Sequence, residues 1–125
     1  MAGFKTKVTP EIENLTDICK EHTSLDLSLY AKYDVKRGLR DINGKGVLAG
    51  LTQVSNVKAT KIVDGKEVPC AGSLSYRGYD IKDLTRGFIE DDRYGFEEVT
   101  YLLLFGSLPD KKQLADFTQL LADQR

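Results

Sequence analysis

One histidine, two cysteines, no tryptophan and no long apolar run mark this sequence of 125 residues. Each shortage removes a class of function. With His22 alone, no paired-imidazole acid–base couple can form within the chain. Cys19 and Cys70 lie far apart, outside any CxxC or Cys/His spacing, so they are expected to be reduced thiols rather than zinc or redox ligands. No stretch nears the roughly 18 consecutive apolar residues of a membrane span, and Met1 to Lys7 lack the apolar segment of a secretory signal. A cytoplasmic address without membrane contact is the expectation. The 18 Lys and Arg are scattered among 19 Asp and Glu, which leaves no basic footprint for nucleic acid. The expected partners are a small molecule or another protein chain. The length suits one domain or part of one.

What is present reads as mainly α, with a small antiparallel β-ribbon near residues 54–76. Thr9-Pro10-Glu11 has the form of a helix start, because Thr caps, Pro fits the first helical position and Glu11 and Glu13 face the positive end of the dipole. Ile12, Leu15, Ile18 and Cys19 then share one face, predicting a helix from about Pro10 to His22. Leu25 to Tyr33 reads equally as a strand or a short helix. Four glycines between Gly38 and Gly50 predict a structured loop or linker. Asp64-Gly65 supplies the positive-φ position favoured in a tight hairpin turn. Pro69 cannot donate to a ladder, so the return strand is expected to be an edge or to begin after it, at about Leu74, with Gly72 easing the turn.

At Asp80 the pattern switches to helix, with Asp80 as N-cap, Asp83 in the place of a capping-box acid and Gly87 as the stop. Glu97 and Glu98 open a helix whose residues Val99 to Phe105 are apolar on nearly every side, which predicts burial on most of its surface. Gly106 ends it. Asp110 and Gln113 have the spacing of a reciprocal cap for a last helix with Leu114, Phe117, Leu120 and Leu121 along one stripe. That pattern is still helical at Arg125, and the chain is expected to be truncated there. Burying one Leu or Phe contributes roughly 1.5–3 kcal/mol, and the helix from Phe96 to Phe105 carries more apolar surface than the neighbouring short elements easily cover. It is expected to pack against further elements.

Several residues are candidates for chemistry, each with a plainer reading. His22, at a helix C-terminus, is read as a capping or exposed residue, with general base or metal ligand as the alternative. Gly44-Lys45-Gly46 and Gly50 form a turn or an anion cradle with Arg37, Arg40 and Lys45 nearby, but lack the GK[ST] ending of a phosphate loop. Glu90, Asp91 and Asp92 are read as a solvated spacer rather than a cation site. Arg77 and Asp80 flank a turn and either pair or cap locally, or contact a ligand. No catalytic, cofactor-binding or metal-binding residue is assigned from these patterns.

The run Leu74-x-Tyr76-Arg77-Gly78-Tyr79-Asp80-Ile81-x-Asp83-Leu84, followed by Phe96-Glu97-Glu98-Val99-x-Tyr101-Leu102-Leu103-Leu104-Phe105-Gly106-x-Leu108-Pro109, resembles the N-terminal region of the citrate synthase family. Gly50-Leu51 upstream and Leu114 with Phe117 downstream are similar too, so the resemblance covers about residues 37–121. It implies a mostly helical homodimeric enzyme with a large and a small domain, which condenses acetyl-CoA with oxaloacetate to give citrate and CoA. It also implies that two histidines and an aspartate, all beyond Arg125, carry the chemistry.

Under that resemblance residues 1–36 form an N-terminal arm with one helix, and residues 37–125 the N-terminal portion of the large domain. The arm has no counterpart in the family core, and the ribbon's turn, Asp64 to Cys70, is longer than in the shortest family versions. Some members place an arginine against a CoA phosphate in the glycine-rich segment. Here that segment has none, leaving Lys45, Arg40 or Arg37 as weak stand-ins. The piece alone is expected to be inactive, with no cofactor beyond the substrates acetyl-CoA and oxaloacetate of the full-length enzyme. Its expected partners are a second copy, the remainder of the large domain and the small domain. The other readings are 2-methylcitrate synthase acting on propionyl-CoA, and a non-enzymatic assembly module.

Overall fold

Thr9 stands in extended backbone and accepts the Ile12 N–H on its hydroxyl, and Pro10 follows at the first helical position, so the chain enters helix α1, Pro10–Thr23, as its sequence prescribes. The computed structural model describes residues 7–36, 38–41 and 43–124. A short helix α2, Ser28–Lys32, settles the ambiguous segment in favour of helix. Strands β1, Ser55–Val63, and β2, Lys66–Tyr76, make the ribbon, and β3, Tyr79–Asp80, adds a short third strand beside β2. Helices α3, Ile81–Glu90, α4, Phe96–Phe105, and α5, Lys111–Asp123, complete the chain. The architecture is mainly α with one antiparallel sheet of order β1-β2-β3.

The ribbon closes at the tight turn expected at Asp64-Gly65 and not over the longer turn through Cys70. Val63 pairs with Lys66 across a two-residue turn, Asp64-Gly65, so the long turn expected through Cys70 is instead strand. Pro69 lies inside β2, opposite Thr60 and next to a register shift between Lys58 and Thr60. The strand does not begin after it. At that point β2 has a neighbour on one side only, since β3 meets β2 at Ser75 and Tyr76, so the missing proline N–H costs no ladder bond on the open edge. Gly72 is a strand residue and eases no turn.

Helix α3 also departs from expectation. It runs through Gly87 to Glu90. The residue that stops it is Asp92, in left-handed backbone at φ 50°. Its N–H donates to the Ile89 carbonyl at 3.1 Å and the Arg93 N–H to the Phe88 carbonyl at 3.0 Å, the paired bonds of a Schellman ending. Asp34, also at φ 50°, ends α2 with the same pair of bonds. Asp80 caps α3 by accepting the Lys82 N–H, while Asp83 turns outward to Arg86 at 3.2 Å and makes no reciprocal cap. The cap of α5 is reciprocal, with Asp110 and Gln113 each bonding the other's backbone.

Tyr101, Phe105 and Phe117 form the core, with ring centroids 4.5, 5.4 and 5.7 Å apart and every pair edge to face. Leu15, Ile18 and Cys19 of α1 and Leu120 and Leu121 of α5 pack against it. Leu102 is fully buried and Leu84 nearly so. The expected burial of α4 holds on one face only, because Phe96 is 66% and Leu104 42% exposed. Close approach fixes the helix ends: a methyl group at Gly95 would sit 2.3 Å from the Phe88 ring.

Candidate functional site

The glycine-rich segment folds as a small hairpin of its own. Arg40 bridges to Gly46, the Gly44 N–H donates to the Asp41 carbonyl at 2.9 Å, and the Asp41 N–H to the Lys45 carbonyl at 2.8 Å. Its cations are already engaged. Arg40 Nη1 donates to the Gly44 carbonyl at 2.9 Å, and Lys45 Nζ lies 3.6 Å from the Glu67 carboxylate on β2. Glu67 in turn accepts the Thr60 hydroxyl at 2.8 Å, and that bond, then the Lys45 charge, lowers its pKa from 4.5. The hairpin thus leans on the ribbon through Lys45, Glu67 and Thr60. Arg37 lies outside the described residues.

Arg77 does more than the turn requires. It sits at φ 48° with Gly78 at 91°, closing β2 onto β3, and its N–H donates to the Val54 carbonyl at 2.8 Å. Its guanidinium reaches two helix ends. Nε and Nη2 donate to the Leu103 carbonyl of α4 at 3.3 and 3.0 Å, and Nη1 donates to the His22 carbonyl of α1 at 3.1 Å. These carbonyls belong to last turns, where partners are otherwise missing. Arg77 therefore caps at long range, and Asp80 caps α3.

His22 packs its ring against the backbone at Gly106, where an added methyl group would meet Nδ1 at 2.7 Å. The histidine, Arg77 and the α4 C-terminus are thereby brought together. The acidic spacer divides: Asp92 serves the backbone turn, Glu90 is exposed, and Asp91 pairs with Arg93 at 3.0 Å. Arg93 also holds Glu98 in the first turn of α4. This pair lines a cleft of about 450 Å³ with Pro109, Asp110, Lys111 and Leu114. Sequence reading missed it. The available signal was a cation five residues before an acid, across the loop that joins two helices.

Among the described residues no three His, Cys, Asp or Glu side chains converge as a metal-binding group, and Cys19 and Cys70 are separate free thiols. No helix among them is long and apolar enough to cross a membrane. Burial, and then the Asp110 charge, push the Tyr101 hydroxyl above its ordinary pKa of 10.0. The site is thus a set of caps and ion pairs that binds helix ends to a β-ribbon, in a mainly helical domain.

Residues 38–125 match the family described as citrate synthase, C-terminal domain. The chain belongs to the citrate synthase family. The 2-methylcitrate synthase 2 of Corynebacterium glutamicum is 40% identical over 86 residues, covering 69% of this chain and 17% of that protein. The citrate synthase of Haloferax volcanii is 38% identical over 92 residues, 74% of this chain and 19% of that protein. The citrate synthase of Saccharolobus solfataricus is 37% identical over 81 residues, 64% and 18% of the two. The chain thus spans less than a fifth of the length of these relatives. No solved structure matches it.

Proposed function

We propose that this chain is the N-terminal part of the large domain of an enzyme that condenses acetyl-CoA with oxaloacetate to citrate and CoA. The family match over residues 38–125 carries the reading. In that reaction the acetyl methyl carbon loses a proton, forms a bond to the keto carbon of oxaloacetate, and the thioester is hydrolysed to release CoA. The family's two-histidine chemistry cannot be run by a chain whose only histidine is His22, packed on Gly106. The 125 residues alone are therefore inactive, and the reacting groups belong to further chain. Exposed Tyr94, at 93%, with Ile89 at 69% and Phe96 at 66%, supports this reading, since such surface is what further elements would cover. The assembled enzyme is a cytoplasmic homodimer, with residues 1–36 as its N-terminal arm.

A second reading shares this architecture and changes the acyl group to propionyl. It is supported by relatives at 37–40% identity that are named 2-methylcitrate synthases. CoA release, followed with oxaloacetate and either acetyl-CoA or propionyl-CoA, separates the two. The 125-residue chain is expected to give none with either substrate, and the protein of the full reading frame a preference for acetyl-CoA. Turnover by the short chain would overturn the claim of inactivity. A stop codon after Arg125 would favour an assembly module over both enzymes.

A further inference from the structure

We infer that α1 is a releasable strap over the apolar seam of α4 and α5, with Arg77 as its lock. The seam is built within the family-matched segment, residues 38–125, and α1 lies outside that segment. Its seating is loose. No side chain of α1 is buried, and Leu15, Ile18 and Cys19 rest only partly covered on the Tyr101, Phe105 and Phe117 rings. Clefts run along both of its flanks: one of about 330 Å³ reaches Leu104, Phe105 and Leu120, and another of about 170 Å³ reaches Tyr101, Gln113 and Phe117. Dispersion falls off steeply across such gaps, so the stripe holds α1 less firmly than a face packed along its whole width would.

Two hydrogen bonds, among the described residues, tie the C-terminal end of α1 to the rest of the fold. One is Arg77 Nη1 to the His22 carbonyl at 3.1 Å; the other, Gln53 Nε2 to the Ser24 carbonyl, is long at 3.4 Å. The first is charge-assisted and shares a guanidinium already anchored on Leu103, so the donor is held in place when α1 arrives. Beyond Ser24 the chain reaches β1 through α2 and the small hairpin, a leash long enough to let α1 leave without opening the sheet. Release uncovers the Tyr101, Phe105 and Phe117 cluster. The inference concerns this motion and does not rest on the proposed reaction.

Hydrogen exchange of the intact protein, resolved for peptides over 10–23, 96–105 and 111–123, tests it. The α1 amides are expected to exchange faster than those of α4 and to respond less to low urea, because local opening exposes less surface. Arg77→Asn keeps a residue tolerant of the left-handed turn and removes the fork. It is expected to speed α1 exchange about tenfold, the effect of losing roughly 1.4 kcal/mol, with the weak urea dependence of α1 retained, while α4, which Arg77 also caps at Leu103, speeds only through the strongly urea-dependent global opening. Equal rates and equal urea dependence for α1 and α4 in the unaltered protein would overturn the strap even if the variant failed to fold. An unchanged α1 rate in a folded variant would overturn the lock.

Discussion

Two turns in this chain have nearly the same backbone and opposite fates. Asp64-Gly65, at φ 50° and 74°, ends the ribbon at its free tip, while Arg77-Gly78, at 48° and 91°, closes β2 onto β3 beside the helices. The first position needs a residue that tolerates left-handed backbone, and aspartate does so with little cost. Arginine has no such leaning. Its place is explained by what the side chain reaches, the Leu103 and His22 carbonyls, so a tertiary bond overrides a local preference.

That contrast can be broken most sharply at the first turn position. Arg77→Asn is expected to lower unfolding stability by about 1.5–3 kcal/mol, the loss of hydrogen bonds from a charged donor, whereas Asp64→Asn stays within about 0.5 kcal/mol. Urea unfolding followed by circular dichroism measures both, and equal losses would mean that Arg77 is only a turn residue. A smaller effect is expected at the second position. Neither Gly65 nor Gly78 has an atom within 4 Å of an added methyl group, so Gly65→Ala and Gly78→Ala should each cost about 1–2 kcal/mol through backbone conformation alone. A much larger loss at Gly78 would point to a contact absent from the fold described.

The smallest effect concerns acid. Folding lowers the Glu67 pKa from 4.5, through Thr60 first and Lys45 second, so its stabilisation is present above that value and fades as pH falls through the depressed folded value. Glu67→Gln should flatten this part of the acid dependence near the ribbon tip. Urea midpoints compared between neutral pH and below 4.5 would show it, and an unchanged acid slope would remove Glu67 from the account.

Legibility in the sequence followed the range of the interaction. The Thr9-Pro10 start, the Asp110 and Gln113 cap and the Asp64-Gly65 turn are set by residues within a few positions, and each stands where expected. The stop of α3 was misplaced because the glycine at Gly87 fits a helix interior while aspartate at Asp92 took the left-handed position. At Pro69 the edge, one of the two places expected, is what the fold uses, and which of the two applies depends on where β3 lies. The Arg77 partners could not be read at all, being 26 and 55 residues away. Family membership, by contrast, was legible from the two blocks around Tyr76 and Phe96, and the match over residues 38–125 bears it out.

The aromatic trio has a consequence for spectroscopy. Three rings set edge to face at 4.5 to 5.7 Å impose strong ring-current fields on whatever rests on them, and Leu15 and Ile18 of α1 do. Their methyl protons should be shifted away from their ordinary aliphatic positions while α1 is seated, and return to them when α1 departs. In a stretch of 125 residues with no tryptophan, those few shifted lines would be a native reporter of the state of helix α1.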